Sequence, residues 1–375
     1  MPPYATRVHV SLAAIRHNLA GIRARVGRER AILMAVKADA YGHGAVVVSR
    51  MLERTGTADW LGVATVPEGI ALRAAGIGLP ILKLSPVFPD EVREAVAADL
   101  RVTVGGPADI DPLVAAARAT GRPVAVHLKV DTGMGRIGVL PADAAELARA
   151  VEDAAPLRLE GVFTHLSASD CPAFDEVTAA QLRAFSGCVR EIEQAIGRRI
   201  ELVHAANSGG ILAHEASWLS MVRPGIMAYG YRPDPTTPQT MTLTPALTWT
   251  SRVSFVKRVP EGTPIGYGMT WHAPRDTWIG TVPIGYGDGF SRALGGRGQL
   301  IVGARAYPVI GRVCMDQSMI DLGPRTSVRV GDDVTVIGED GECRYGADDM
   351  AAALGTIPYE ITCRIDARVP RGYDD

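Results

Sequence analysis

A single lysine, Lys37, closes the apolar run Ala31-Ile32-Leu33-Met34-Ala35-Val36, and Tyr41, Gly42, His43 and Gly44 follow it closely. The run reads as a short buried β-strand. A lysine held where such a strand ends is poorly solvated, which favours its neutral, nucleophilic form. An amine of that kind condenses with an aldehyde to a Schiff base, the usual anchor of an aldehyde cofactor. Taken alone, a strand-end lysine is more often a side chain that merely snorkels to solvent.

Other residues supply what an aldehyde cofactor would need. Asn207-Ser208-Gly209-Gly210 and Gly225-Ile226 suit a phosphate, because glycines let backbone N–H groups approach the oxygens. Ser208 and Tyr41 would complete that cradle with hydroxyls. An aldehyde with a phosphate arm points to pyridoxal phosphate. Arg223, in Met221-Val222-Arg223-Pro224-Gly225, is the second signal. Pyridoxal enzymes that form stable carbanions usually place a carboxylate at the pyridine nitrogen. An arginine keeps its proton, so it would donate to an unprotonated nitrogen and weaken the electron sink. The third signal is Tyr267, in Ile265-Gly266-Tyr267-Gly268-Met269. Inverting an α-carbon requires proton removal on one face and delivery on the other. Lys37 can serve one face, and Tyr267 the other if cationic neighbours such as Arg136 and His165 stabilise its phenolate.

The elements that must position these groups are legible as periodic runs. Strand-like segments at 31–36, 60–65, 80–85, 101–105, 123–130, 159–165, 200–204 and 219–229 alternate with helix-like Ala/Arg/Glu-rich stretches. The clearest helix, 141–154, begins at Pro141. Eight β–α repeats predict an α/β fold with a closed (β/α)8 barrel, whose active site lies at the carboxyl ends of the strands. Lys37, Arg136, His165 and Asn207-Ser208 fall at or just after such ends, and Arg223–Ile226 falls within the region of the eighth strand. A proline-rich linker at 231–238 separates the barrel, residues 1–237, from a mostly β domain, 238–375, with which the first strand is free to pair. Runs at 247–256, 278–284, 300–302, 306–310, 319–322 and 333–337 supply its strands. Gly285–Gly289 reads as a tight turn, and the acidic pairs at 332–333 and 348–349 as solvated or capping residues.

Composition narrows the classes. The chain has 375 residues, 47% hydrophobic and 21% charged, which is ample for large cores. A net charge of −2 with no basic block argues against nucleic acid or anionic membranes as partners. The first ten residues hold no apolar core of signal-peptide length, and no apolar run approaches the roughly 18 residues of a membrane span. The five cysteines are scattered and the eight histidines lack ligand spacing, so we expect reduced thiols, a cytoplasmic setting and no metal.

The chain resembles the alanine racemases from about residue 5 to 371. The matching strings include Ala35–Gly44, Lys129–Arg136, Thr164-His165, His204–Ser208, Val222–Ile226, Tyr267-Gly268, Pro283–Gly289, Cys314–Gln317 and Ile357–Glu360. The resemblance implies a homodimeric, pyridoxal-phosphate-dependent isomerase interconverting L- and D-alanine and supplying D-alanine for cell-wall synthesis. It further implies that Lys37 carries the cofactor and acts on the D-substrate, while Tyr267 from the second subunit acts on the L-substrate. Arg223 would meet the pyridine nitrogen, with His204 behind it and His165 near the ring. Tyr41, Ser208, Gly225, Ile226 and Tyr359 would hold the phosphate; Arg136 and the backbone at Met315 would orient the substrate carboxylate. Lys129 matches a lysine that can be carbamylated in the family. Leu166-Ser167, Met269–His272 and Tyr231–Pro233 depart from the family pattern, which leaves serine or another small amino acid open as substrate. A related decarboxylase would carry glutamate before Pro-Gly where Arg223 stands, and a non-enzymatic cofactor carrier would need neither Tyr267 nor the β domain.

Overall fold

The computed structural model describes residues 4–374. The chain forms a barrel unit, Ile15–Thr244, and a β-rich unit made of the residues before Ile15 together with those from Pro245 onward. The division is therefore discontinuous in sequence. The strand Arg7–Ser11 belongs to the β-rich sheet, antiparallel to Leu247–Arg252 and parallel to Arg371–Asp374.

In the barrel unit eight parallel strands close on themselves: Ala31–Ala35, Trp60–Val63, Ile81–Lys83, Leu100–Val104, Val124–Lys129, Leu157–Phe163, Leu202–His204 and Met221–Val222. An α-helix follows each of the first seven. The expected (β/α)8 barrel is present. Its interior is filled, not hollow: Leu33, Leu82 and Met221 are fully buried and pack with Trp60, Leu84 and Leu202.

Three strand ends differ from expectation. The last strand stops at Val222 and does not run to 229, because Pro224 has no N–H to give a ladder; Ile226–Tyr229 forms a 3-10 turn instead. Arg223 thus lies just past the strand, not within it. Lys37 and His165 likewise sit beyond Ala35 and Phe163, where the ladder has ended and side-chain direction is set by loops.

The β-rich unit is a mostly antiparallel sheet running Phe255–Val259, Thr277–Val282, Ser318–Gly323, Arg305–Ile310, Gln299–Val302, Asp333–Asp340, Leu247–Arg252, Arg7–Ser11, Arg371–Asp374. The expected single run 247–256 is two strands, because Val253 N–H turns to the Asp332 carbonyl and Ser254 N–H to that of Thr281. The acidic residues act as caps: Asp332 accepts from Arg329 N at 2.8 Å and Asp349 from Gly346 N at 2.7 Å. A separate hairpin, Pro264–Ile265 with Trp271–His272, carries Tyr267 at its tip.

Leu82→Ala should lower barrel stability by about 2–5 kcal/mol, since the surrounding shell cannot collapse into the space. An unchanged urea midpoint would place Leu82 outside the interior packing.

Candidate active site

The segment after the first barrel strand is strained. Ala38, Asp39, Ala40 and Tyr41 all take left-handed backbone conformations, with φ between 51° and 55°. Such a turn costs non-glycine residues roughly 1–2 kcal/mol each, so its surroundings must over-determine it. Ala40 N donates to Val36 O at 2.8 Å and Gly44 N to Asp39 O at 2.9 Å. The Asp39 carboxylate accepts from Ala45 N at 2.7 Å, at the start of the next helix. Glu68 binds the turn to a neighbouring loop, accepting from Ala38 N on one oxygen (2.7 Å) and from Ala64 and Thr65 N on the other (2.8 and 3.1 Å). The turn leaves Lys37 half-buried and drives Tyr41 inward, its ring centroid 5.1 Å from that of Tyr229. Tyr229 in turn donates its hydroxyl to Ala35 O at 2.9 Å.

Tyr41 ends beside the segments predicted to hold phosphate. A Cβ placed on Gly225 would lie 2.8 Å from the Tyr41 hydroxyl and 3.7 Å from Ser208 Oγ, so only glycine leaves this hollow open. Ser208, 3% exposed, accepts from Gly225 N at 3.0 Å and Met227 N at 3.4 Å, which leaves its own O–H to give. Asn207 holds the preceding turn by accepting from Gly210 N at 2.9 Å. The Ile226 N–H has no partner among the described residues. Tyr41, Ser208, Gly225 and Ile226 are thereby brought together.

Arg223 is 6% exposed and makes no ion pair with a carboxylate among the described residues. Its Nη1 donates to His204 Nδ1 at 2.9 Å. Its Nη2 donates to the carbonyls of Thr164 and Ala205 at 2.8 and 2.9 Å, and to His165 Nδ1 at 3.3 Å. The guanidinium also faces the Phe163 ring, which stacks on His204 at 4.9 Å. Nε has no partner among the described residues, so it is the donor left for a ligand. Burial, with the Arg136 charge adding to it, lowers the Arg223 pKa to about 9, so the group stays cationic at neutral pH.

This buried cation sets its neighbours' protonation. Lys129, 2% exposed, donates to Val130 O at 2.7 Å, and burial followed by the Arg223 charge brings its pKa down to about 8. Burial, then the charge of Arg223, holds His204 well below the usual histidine range. His165 is held equally low by burial, Arg223, Arg136 and Lys37. This corrects one expectation: His165 is neutral and accepts on Nδ1, so it is not a cationic neighbour for a tyrosinate. Arg136, exposed on the loop after the fifth strand, remains as such a cation.

Three predicted site residues lie in the β-rich unit. Tyr267 is 71% exposed, in a turn where Gly266, Gly268 and Met269 have positive φ. A Cβ added at Gly268 would stand 3.1 Å from the Arg312 guanidinium, so that turn lies against Arg312. Met315 lies on the same loop as Arg312; its carbonyl accepts from Gly287 N at 2.9 Å, while its N–H has no partner among the described residues. Tyr359, half-buried, opens the helix Pro358–Cys363. Cys314 is part-exposed.

Sequence reading missed His127, Glu160 and Gly161. His127 Nδ1 bonds His204 Nε2 at 2.9 Å, and its Nε2 faces Glu160 at 3.4 Å. The available signal was the spacing of His127 and Lys129, two polar residues on one face of an otherwise apolar strand.

The family models for the alanine racemase N-terminal and C-terminal domains match residues 10–233 and 246–373. The alanine racemase of Cutibacterium acnes is 49% identical over 372 residues, 98% of each chain. That of Symbiobacterium thermophilum is 41% identical, covering 98% of this chain and 97% of its own. The chain belongs to the alanine racemase family. Solved structures agree: the alanine racemase of Clostridium difficile 630 superposes with a TM-score of 0.94 at 33% identity, covering 100% of this chain and 97% of that one. The Bacillus anthracis alanine racemase with bound L-Ala-P gives a TM-score of 0.92 at 34% identity, covering 100% and 96%. No helix among the described residues is long and apolar enough to cross a membrane.

Gly161 explains how the family's barrel admits the second imidazole here: a Cβ on it would stand 2.6 Å from His127 Nδ1 and 2.9 Å from Leu202 O. Gly161→Ala should therefore cost about 1–3 kcal/mol by overpacking. A melting temperature equal to that of the parent protein would show that His127 can move aside freely.

Proposed function

We propose that the protein is a pyridoxal-phosphate-dependent racemase of alanine, acting in the cytoplasm as a homodimer with shared active sites. The observation that carries this reading is the convergence of Lys37, the Tyr41–Ser208–Gly225 hollow and the anion-free Arg223 beyond the carboxyl ends of the barrel strands. Family membership supports it independently.

The donor set fits the cofactor. The hydroxyls of Tyr41 and Ser208 and the N–H of Ile226 suit a phosphate, and the hollow over Gly225 is one that a Cβ would fill. Tyr359 is assigned there from the family resemblance. Arg223 Nε suits a ring nitrogen that carries no proton, and Lys37 would hold the aldehyde carbon through its ε-amine until the substrate's amine takes its place and leaves the lysine amine free. When bound, pyridoxal phosphate supplies an electron-withdrawing ring that acidifies the α C–H of an amino acid joined to it.

The chain's own residues then do the following. Arg136 and the Met315 N–H are assigned to the substrate carboxylate from the family resemblance, which would fix the α-carbon between two bases. Lys37 Nζ takes or returns the proton on the face presented by D-alanine. The phenolic oxygen of Tyr267, reaching in from the second subunit, does so on the opposite face. The 71% exposure of Tyr267 within its own chain suits a residue that completes a partner's site. Neutral His165 receives from Arg223 on Nδ1 and keeps its Nε2–H to give. The D-alanine formed would supply cell-wall synthesis.

Incubation with L-alanine and pyridoxal phosphate in D2O should yield α-deuterated D-alanine, read by chiral chromatography and mass spectrometry. If alanine is untouched while serine is inverted, the substrate assignment changes. Tyr267→Phe should slow α-proton exchange from L-alanine by roughly 10²–10⁴ while largely sparing exchange from D-alanine. Equal losses would make Tyr267 structural.

Lys129 should also take up carbon dioxide, its neutral amine forming N–COO⁻ and releasing a proton. The carbamate would place an anion near Arg136 and Arg223. Because the amine loses its proton around pH 8, the ¹³C-bicarbonate carbamate signal should grow as pH rises through that value and vanish in Lys129→Ala. A spectrum with no such signal at any pH would leave Lys129 a bare amine.

A further inference from the structure

Arg223 lies in the barrel without a carboxylate against it, yet a buried cation needs compensating charge. The bonds leading away from it point to where that charge sits. A guanidinium only donates, so His204 Nδ1 must accept from it at 2.9 Å. His204 is fully buried and neutral, so its one proton is on Nε2. That N–H faces His127 Nδ1 at 2.9 Å, which must therefore accept in its turn. His127 is also fully buried, and burial lowers its pKa despite the opposing pull of Glu160. Its proton is then on Nε2, 3.4 Å from Glu160 Oε2.

Glu160 ends the series. It is 5% exposed; burial raises its carboxyl pKa, but the facing His127 imidazole and the charges of Arg101 and Arg158 outweigh that and hold it ionised. Arg158 donates to its other oxygen, and Arg101 Nε stands 3.5 Å away. Every donor from Arg223 to Glu160 points the same way. Reversing the two imidazoles would set a His204 N–H against an arginine N–H, and a bare His127 nitrogen against a carboxylate. Both ends of the series select one tautomer pattern.

We propose that Glu160 is a positioning residue for the racemase reaction, serving through His127 and His204 as the remote counter-charge of Arg223. This rests on the reading that Arg223 meets the cofactor's ring nitrogen. A carboxylate polarises an imidazole whose N–H faces it, as Glu160 faces His127 at 3.4 Å, and the hydrogen bonds beyond it strengthen one another. His204 Nδ1 thus becomes a stronger acceptor, and the guanidinium is held in one orientation with Nε toward the ring. Glu160 touches no reacting atom.

Long-range ¹H–¹⁵N spectra of the ¹⁵N-histidine-labelled holoenzyme test this directly. His127 and His204 should both be neutral with the proton on Nε2. Either ring protonated on Nδ1 would overturn the proposal, and this measurement needs no variant. In Glu160→Gln the amide N–H2 can donate to His127, so a second His127 tautomer should appear. The value of kcat should fall roughly tenfold with KM for alanine little changed, and the cofactor absorbance should shift. Glu160→Asp should recover the parent tautomers and part of kcat. Parent tautomers together with parent kcat in Glu160→Gln would overturn the role. The underlying reading fails separately: if Arg223→Lys leaves the cofactor absorbance unmoved, Arg223 does not face the ring, whatever the histidine spectra show.

Discussion

A guanidinium buried without an adjacent anion governs this site. A cation taken out of water must be satisfied completely, and Arg223 is met by two carbonyls, two imidazole nitrogens and the face of Phe163. Its charge then propagates as a protonation pattern. His165 and His204 are held neutral and Lys129 is drawn down to about 8, with burial the larger cause in each and the arginine the next. A glutamate in the same place would reverse the sign of these effects. It would favour protonated neighbours and a protonated ring, an arrangement suited to a deeper electron sink. The chemistry inferred for the protein therefore follows from the charge of one side chain and from the rarity of acceptors strong enough to neutralise it nearby.

The scaffold's part is to hold weakly directed loops rigid where the strands stop. Barrel ladders end at Ala35, Phe163, His204 and Val222, just short of the residues that matter. Beyond those ends, position comes from local devices. The left-handed turn through Tyr41 is strained by several kcal/mol on the general cost of such conformations. It persists because Glu68 and two glycines take up its backbone groups and the Asp39 carboxylate ties it to the next helix. Strain concentrated next to Lys37 means that Tyr41 and Lys37 have few alternatives to the geometry observed. A relaxed right-handed turn would aim Tyr41 elsewhere.

Much of this was legible in one dimension. Lys37, Tyr41, Ser208-Gly209-Gly210 and Arg223-Pro224-Gly225 are each chemically unusual at their positions, and their order matches strand ends of a barrel whose β–α period is plain. Less was legible where the signal is not local. Arg7–Ser11 reads as an ordinary amphipathic segment until its partners, more than two hundred residues away, are known. The hairpin that carries Tyr267 has strands only two residues long, too short to leave a periodicity. Pro224 announced a strand end that an apolar count over 219–229 overrode.

What the sequence determined by itself was the inventory of chemistry and the class of scaffold, because residue type and the repeat of apolar runs are local properties. What only the tertiary structure decided was the charge state and aim of that inventory. His165 is neutral, not cationic, because Arg223 sits 3.3 Å from its Nδ1, a distance no spacing along the chain expresses. His127 and Glu160 acquire meaning only when strands five and six of the barrel set them in line behind His204. Gly161, on that sixth strand, is required because an imidazole from the strand beside it fills the space its side chain would take. Burial and through-space charge decide protonation, and both come into being only when distant segments meet.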